Sequence, residues 1–292
     1  MRWLAIANPA AGRAHEAARL LEQLRSMRDV SATIAETRQP GDATRLARSA
    51  EQFDGVIAIG GDGTVAEVLQ GLDLSSKRLA VLPAGHGNCL ARDLGLAEPA
   101  LALAALRHGV TRPLDLMQVV ATHDDGRHTH RVCASTLAFG YVTEVVMCGR
   151  QRMARFGRYA YAAAALVVVP RRFRARVAGA ASNGADCEYT GLVINNTAHL
   201  ANFRGFPEAT LTDGRLDVME LACGWPRQLL HNAAVLAGSR RCGPASMRQV
   251  AAESVELAEA RVLMADGELL PRVTAVAATC LPGAVNCIAA VE

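Results

Sequence analysis

The sequence predicts an α/β domain followed by a β-rich domain, and three observations carry that prediction. The opening third alternates short apolar runs with longer stretches of helical period, the signature of a parallel sheet covered by helices. After about Asp115 the texture changes to strand-like runs with turn signals, beginning with 117–121 and the turn Asp124-Asp125-Gly126. A chain of 292 residues also exceeds what one compact core usually holds. Two domains are therefore expected, 1–115 and 116–292, with the extreme C-terminus free to pack back on the first.

In the first domain, strands are expected at 4–7, 30–35, 55–59 and 79–82, with helices at 14–27, 42–52, 64–72, 88–94 and 99–107. In the second, strands are expected at 117–121, 131–137, 188–195, 216–221, 254–257, 261–264 and 273–277. One helical insert, 145–168, interrupts them. The apolar stretch at the N-terminus ends at Asn8, short of a signal-peptide core, and reads as a first strand. The longest uncharged apolar run, 159–170, falls well below the ~20 residues of a membrane span, so no transmembrane segment is expected.

The composition is 51% hydrophobic and 20% charged, that of a folded chain, and at 4% aromatic its cores must rest on Ala, Val and Leu. A net charge of +3 is too small a bias to imply nucleic acid as a partner. Eight cysteines without a Cys-x-x-Cys pair fit a reduced, cytoplasmic protein.

Three loops share one pattern, a strand running into a glycine turn and then a helix. They are Asn8-Pro9-Ala10-Ala11-Gly12, Gly60-Gly61-Asp62-Gly63-Thr64, and Gly85-His86-Gly87-Asn88. In a parallel sheet all three emerge at the carboxyl edge, where ligands bind, and a helix start presents backbone amides to an anion. Glycine there lets a phosphate approach the backbone, although a structural tight turn would look the same. Lys77 is the one lysine and lies beyond the helix after the second loop. That excludes both a Walker loop and a protein-kinase lysine, and the spacing is wrong for a dinucleotide fingerprint. Phosphates would have to be held by backbone amides, hydroxyls, arginine and metal.

These loops, with Thr212-Asp213-Gly214-Arg215-Leu216-Asp217-Val218 and Asp266-Gly267-Glu268, resemble in order the motifs of the diacylglycerol kinase catalytic-domain family, which includes bacterial lipid kinases and sphingosine and ceramide kinases. The resemblance spans almost the whole chain. It implies a three-layer α/β nucleotide-binding domain, a C-terminal β-sandwich, and ATP and Mg2+ as cofactors. By this resemblance Asn8, Pro9, Ala10, Ala11, Gly12, Thr37, the 60–67 segment with Glu67, and the 85–88 loop contact ATP. Glu268, Asp266 and Asp62 form the acidic centre where Mg2+ sits, with Glu268 and Asp266 read as the base and Asp62 kept beside them, and a carboxylate takes the acceptor proton. Asp213 with the Thr210 and Arg215 carbonyls resembles a second Mg2+ site, while Asp213-Gly214 alone reads equally as a hairpin turn.

The family points to transfer of the ATP γ-phosphate to a lipid hydroxyl at a membrane surface, with peripheral association at its inner face and compatibility with a homodimer. Diacylglycerol is the leading acceptor. A sphingoid base or ceramide is the alternative, because Gly85-His86-Gly87-Asn88-Cys89 is closer to the sphingosine kinase loop. Glu144, in a segment similar to the sphingosine kinase head-group segment, would meet the substrate. A kinase for a soluble acceptor, related to NAD kinase, and a lipid-binding protein without catalysis are the other readings. His86 serves either a phosphate or the fold.

Arg150, Arg152, Arg155, Arg158, Arg171, Arg172, Arg174 and Arg176 flank an apolar helix and suit either an anionic membrane or a solvated face. His123, His128 and His130 imitate a metal cluster or decorate a hairpin tip.

Overall fold

The computed structural model describes residues 1–12, 14–179, 185–200, 203–236 and 245–291; Cys242 and the side chain of Arg158 lie outside the described residues. The chain forms two compact units. One comprises Met1–Leu116, Thr210–Gly214 and Leu281–Glu292, and the other Met117–Ala209 and Arg215–Cys280.

In the first unit β1 (Arg2–Ala7), α1 (Ala14–Ser26), β2 (Ser31–Glu36), α2 (Asp42–Arg48), β3 (Gly55–Gly60), α3 (Asp62–Gly71) and β4 (Arg78–Pro83) alternate strictly, followed by the short α4 (Cys89–Asp93) and α5 (Pro99–His108). The strands run in the order β2-β1-β3-β4 and every pair is parallel. All six residues of β3 are buried, because helices cover both faces of the sheet and each crossover must cross one face. This is a three-layer α/β unit. The end of the last strand joins its edge, with Asn286 and Cys287 beside Arg78 and Leu79.

The second unit takes β5 (Val110–His123) from Met117 onward, β6 (His128–Cys133), β7 (Thr136–Gly140), α6 (Tyr141–Gln151), a 3-10 turn (Ala154–Tyr159), α7 (Ala160–Val167), β8 (Phe173–Val177), β9 (Asp186–Tyr189), β10 (Gly191–Asn195), β11 (Leu216–Leu221), α8 (Trp225–Leu236), β12 (Ala245–Val250), β13 (Ala252–Ala265) and β14 (Glu268–Ala289) as far as Cys280. β13 is the pivot. Its start pairs with β8 and its end with β7, and register shifts between Glu256 and Arg261 and between Val262 and Leu263 bend it between the two. One core draws Val119, Phe139, Phe173, Val177, Ile194 and Val276 from both groups of strands, which makes the unit a β-sandwich.

Several elements differ from expectation for identifiable reasons. The expected strand 131–137 breaks at Ala134-Ser135, whose amides turn to the Asp266 carboxylate instead of a neighbouring strand. The expected 188–195 breaks at Thr190, whose N–H donates to Leu221 O and whose carbonyl accepts from Tyr141 N. The single helix 145–168 becomes α6, a 3-10 turn and α7, with Gly157 at φ +54 in the break. The runs 254–257 and 261–264 are one strand, and 273–277 is the middle of a 22-residue strand that tolerates Pro271 and Pro282. β8, α8 and β12 had no expectation, since Phe-Arg-Ala-Arg-Val reads first as a basic cluster.

Candidate functional site

In the first unit the three glycine loops lock together. Asn8 Nδ2 donates to Thr64 Oγ1 at 3.3 Å and its Oδ1 accepts from Ala10 N at 3.0 Å, so one side chain shapes the first loop and ties it to the start of α3. Asp62 Oδ2 accepts from Asn88 N at 2.9 Å and Oδ1 from Cys89 N at 2.7 Å, which binds the second loop to the third. Asn88 is buried at φ +54, and its side chain accepts from Gly85 N and donates to Gly85 O, closing its own loop.

The glycines divide by cause. A Cβ on Gly61 would stand 2.9 Å from the Gly85 Cα, one on Gly60 would strike the Thr64 side chain, and one on Gly12 would strike the exposed His86 ring. Gly61 and Gly12 serve the packing of loop on loop and Gly60 the fold of its own loop, reasons distinct from ligand approach. At Gly63, exposed in the first turn of α3, nothing lies within 4 Å of the Cβ position. Gly63 therefore meets the requirement for a ligand cradle at a helix start.

Asn8, Ala10, Thr37, Thr64 and Glu67 line one polar cleft of about 190 Å³, together with Arg38, Gln39, Pro40 and Ala43. Glu67 Oε2 accepts from Gly41 N at 3.0 Å and Ala43 N at 3.2 Å, so Glu67 holds the loop after β2 over α3. Asp42 keeps that loop folded by accepting from Arg38 N and Gln39 N, and these amides, with Arg45, hold its carboxyl below the usual range.

In the second unit Asp266 and Gly267 form a two-residue turn between β13 and β14, both at positive φ (+47 and +80), with Ala265 paired to Glu268. Asp-Gly is the dipeptide such a hairpin favours. The Asp266 carboxylate is buried and accepts from Ala134 N, Ser135 N, Ser135 Oγ and Thr136 N, all within 3.0 Å. Four donors occupy what a carboxylate offers, which makes Asp266 an anchor. Glu268 contrasts with it: its side chain is 52% exposed, and Oε2 accepts from Arg131 Nη2 at 2.5 Å. Arg131 is only 13% exposed, so the ion pair fixes Glu268 from beneath. Cys133 next to this turn has its thiol pushed well up, by burial first and by Asp266 second.

The same unit contains an apolar cavity of about 150 Å³ walled by Tyr141, Val145 and Val146 of α6, Tyr161 and Ala165 of α7, and Phe203. One end is polar. Tyr141 Oη donates to Ala165 O at 2.6 Å, Asn232 Nδ2 donates to Tyr141 Oη at 2.7 Å, and Gln228 Nε2 donates to Asn232 Oδ1 at 3.1 Å. Burial raises the Tyr141 phenol above its ordinary value, so it remains a neutral donor. Glu144 is half-buried in the first turn of α6, between wall residues Tyr141 and Val145.

Other expectations resolve locally. Thr210 and Asp213 belong to the first unit and Arg215 to the second; Asp213 is exposed, and its loop is pinned by Asp115, which accepts from Gly214 N at 2.6 Å and Gly283 N at 2.8 Å. His123 is buried with both ring nitrogens engaged, by Thr129 Oγ1 and Arg272 O, while His128 and His130 are exposed; among the described residues no group of three His, Cys, Asp or Glu could hold a metal ion. Asp62 lies in the first unit and Asp266 and Glu268 in the second.

Arg38, Gln39, Pro40 and Ala43 went unread in the sequence, although Pro40-Gly41 after a parallel strand marks a loop at the ligand-binding edge. Arg131, Gln228 and Asn232 carry no local signal, since only tertiary pairing gives them partners.

The geometry can be set beside known proteins. The model of the diacylglycerol kinase catalytic domain matches residues 2–119, and that of the YegS C-terminal NAD kinase beta sandwich-like domain matches residues 135–289. A diacylglycerol kinase of Bacillus subtilis (strain 168) is 30% identical over 198 residues, 62% of this chain and 60% of that protein. Sphingosine kinase B of Dictyostelium discoideum is 32% identical over 120 residues, 37% of this chain and 16% of that protein. The matched segments thus span less than two thirds of either relative. The crystal structure of a diacylglycerol kinase from Bacillus anthracis str. Sterne superposes with a TM-score of 0.75 at 20% identity, covering 99% of this chain and 96% of that one, a likeness of fold. With both units matched in order, the chain belongs to the diacylglycerol kinase catalytic-domain family of the type that carries a YegS C-terminal domain.

Proposed function

We propose that this protein is an ATP-dependent lipid kinase that transfers the γ-phosphate of ATP to a hydroxyl of diacylglycerol or a related lipid. The observation that carries the reading is the second unit's combination of an exposed carboxylate on a rigid turn, Glu268, with an apolar cavity suited to a lipid tail.

In this reading the polar cleft at Asn8, Thr37, Arg38 and Thr64 takes part of the nucleotide, and the open backbone at Gly63 receives phosphate. Without a nearby lysine, Arg38 is the cation of that cleft. The acceptor hydroxyl attacks the γ-phosphorus, its proton passes to Glu268, the bond to the β-phosphate oxygen breaks and ADP leaves. Arg131 holds the Glu268 carboxylate in place for that transfer. Asp266 positions the turn through its four donors and takes no proton.

Mg2+ bound with the nucleotide would supply neutralisation of phosphate charge. Asp62 would hold such an ion, as a carboxylate oriented by the Asn88 and Cys89 amides at the start of α3, on the loop proposed to receive phosphate. A second Mg2+ at Asp213 with the Thr210 and Arg215 carbonyls is part of the proposal; its loop already has a shape given by Asp115. The lipid is met at the inner face of a membrane, and no helix among the described residues is long and apolar enough to cross one. A sphingoid-base or ceramide acceptor is the second reading, favoured by Glu144 beside the cavity wall, where a carboxylate would receive an amine or hydroxyl.

The test is transfer of label from γ-labelled ATP to diacylglycerol, monoacylglycerol, sphingosine, dihydrosphingosine and ceramide in mixed micelles. A labelled lipid supports the proposal, and no product from any acceptor would sink it. Replacing Glu144 by Ala should harm sphingosine more than diacylglycerol, and equal losses would remove its head-group role.

A further inference from the structure

Seven arginines of the second unit's cluster, all but Arg158, fall into two populations. Arg172, Arg174 and Arg176 lie on or beside β8 and face Glu188, Asp186 and Glu256 at 2.7 to 4.0 Å. Arg150, Arg152, Arg155 and Arg171 are exposed and have no ion pair among the described residues. The first population is internal charge balance of a strand pair. The second is cationic surface with no ion-pair partner among the described residues.

Between the unpaired arginines lies exposed apolar surface. Phe156, Tyr159, Leu166, Val167 and Val169 are 45% to 58% exposed, and they are five of the ten exposed large apolar side chains among the described residues. Such concentration within 14 positions differs from the scattered apolar residues of an ordinary surface. α7 carries the clearest contradiction. Its sequence Ala-Tyr-Ala-Ala-Ala-Ala-Leu-Val is apolar all round, which normally belongs in an interior. Here Ala160 and Ala164 are buried, Tyr161, Ala162 and Ala165 wall the apolar cavity, and Leu166 and Val167 face solvent.

We propose that segment 150–171 docks this protein reversibly onto an anionic lipid bilayer, with its apolar side chains entering the headgroup boundary and its unpaired arginines meeting lipid phosphates. The proposal rests on the lipid-kinase reading for its purpose, because the same helix that would touch the bilayer forms the wall of the cavity assigned to the lipid tail. Position supports it as well: Arg150 Nη2 lies 3.4 Å from where a Cβ of Gly267 would stand, so the segment starts beside the turn that bears Glu268.

A second copy of this chain is a poorer occupant. A symmetric contact through this face would set the unpaired guanidinium groups against their own images, and like charges across an interface repel. A bilayer offers both complements, phosphate for the arginines and hydrocarbon for Phe156, Leu166 and Val167. The guanidinium of Arg155 lies over the Phe156 ring at 5.1 Å, which keeps a cation at the apolar edge, where a membrane interface would receive both.

The experiment is co-sedimentation of the full chain with vesicles of phosphatidylcholine alone or mixed with phosphatidylglycerol, without ATP or diacylglycerol. Binding is expected only to the mixed vesicles and should weaken with salt. Replacing Arg152, Arg155 and Arg171 together by Ser should lower the partition coefficient by about a hundredfold, at roughly fivefold per arginine near the surface. Replacing Leu166, Val167 and Val169 by Ser should also release the protein, and circular dichroism shows whether each variant is folded. Activity toward a short-chain, water-soluble diacylglycerol without vesicles should be unchanged in both variants. Undiminished vesicle binding by the folded arginine variant overturns the proposal, as does absence of binding by the unaltered protein. A loss of self-association in either variant, with vesicle binding intact, would mark the face as an interface between copies and also overturn it. If vesicles are bound but no lipid is phosphorylated, the docking stands and the kinase reading fails.

Discussion

The turn at 60–63 and the turn at 266–268 look alike in sequence, each setting carboxylates among glycines, yet they divide labour in opposite ways. In the first, the carboxylate of Asp62 is engaged by the amides of Asn88 and Cys89, and what stays open is the backbone at Gly63. In the second, the backbone is closed into a hairpin, Asp266 is consumed by four donors, and what stays open is the side chain of Glu268. One turn offers helix-start amides suited to an anion and the other offers an anion suited to a proton. A phosphoryl transfer to a hydroxyl needs both.

Five substitutions sharpen that contrast. The largest effect is expected from Glu268→Gln, which should lower kcat by about a thousandfold through loss of the base, while loss of the ion pair to Arg131 costs about 1 kcal/mol of stability. Activity retained in the folded variant would move the base elsewhere. Next, Asp266→Asn should cost about 3 kcal/mol in urea unfolding, because it strands buried donors at Ala134 to Thr136. A cost near zero would show that those amides have other partners.

Third, Gly61→Ala should destabilise by about 2 kcal/mol, since its Cβ meets backbone at Gly85 and neither side is a flexible tip. Gly63→Ala should leave stability within about 1 kcal/mol and raise the KM for ATP. Equal behaviour of the two would erase the distinction between a packing glycine and a ligand glycine. The smallest effect concerns Tyr141. Its folded-state pKa is raised by burial, so its contribution is fully present below the ordinary phenol pKa near 10 and is lost as pH rises through that range. The drop in urea midpoint between pH 8 and 10.5 should be smaller in Tyr141→Phe, and an unchanged drop would mean another group titrates.

Much of the fold was legible because its signals are local. Strand–loop–helix repeats such as 55–71 carry periodicity and turn residues within a short window, and the structure follows them closely. The second unit was legible only in part, since its breaks answer to distant partners. Nothing near Ala134 announces that its amide will turn to a carboxylate 132 positions away. The site followed the same rule. The residue types at 8–12, 60–67 and 85–88 were readable as glycine loops at one edge of a parallel sheet, but the contacts among them were not. Gly61 and Asn88 were read toward a nucleotide; the structure also gives Gly61 a packing contact on Gly85 and uses the Asn88 side chain to close its own loop on Gly85. Arg38 and Arg131 were missed because an isolated arginine has no meaning until the fold supplies its neighbour.

The central claim is that Glu268 carries the chemistry while Asp266 carries the architecture. The most direct measurement is single-turnover transfer of γ-labelled phosphate to a lipid acceptor by Glu268→Gln and Asp266→Asn, at low temperature where unfolding titrations show both variants folded. The account predicts that Asp266→Asn stays within about tenfold of the unaltered protein, as expected of a residue that acts through positioning, while Glu268→Gln falls by about a thousandfold. The reverse ranking, or equal losses in two folded variants, would contradict it.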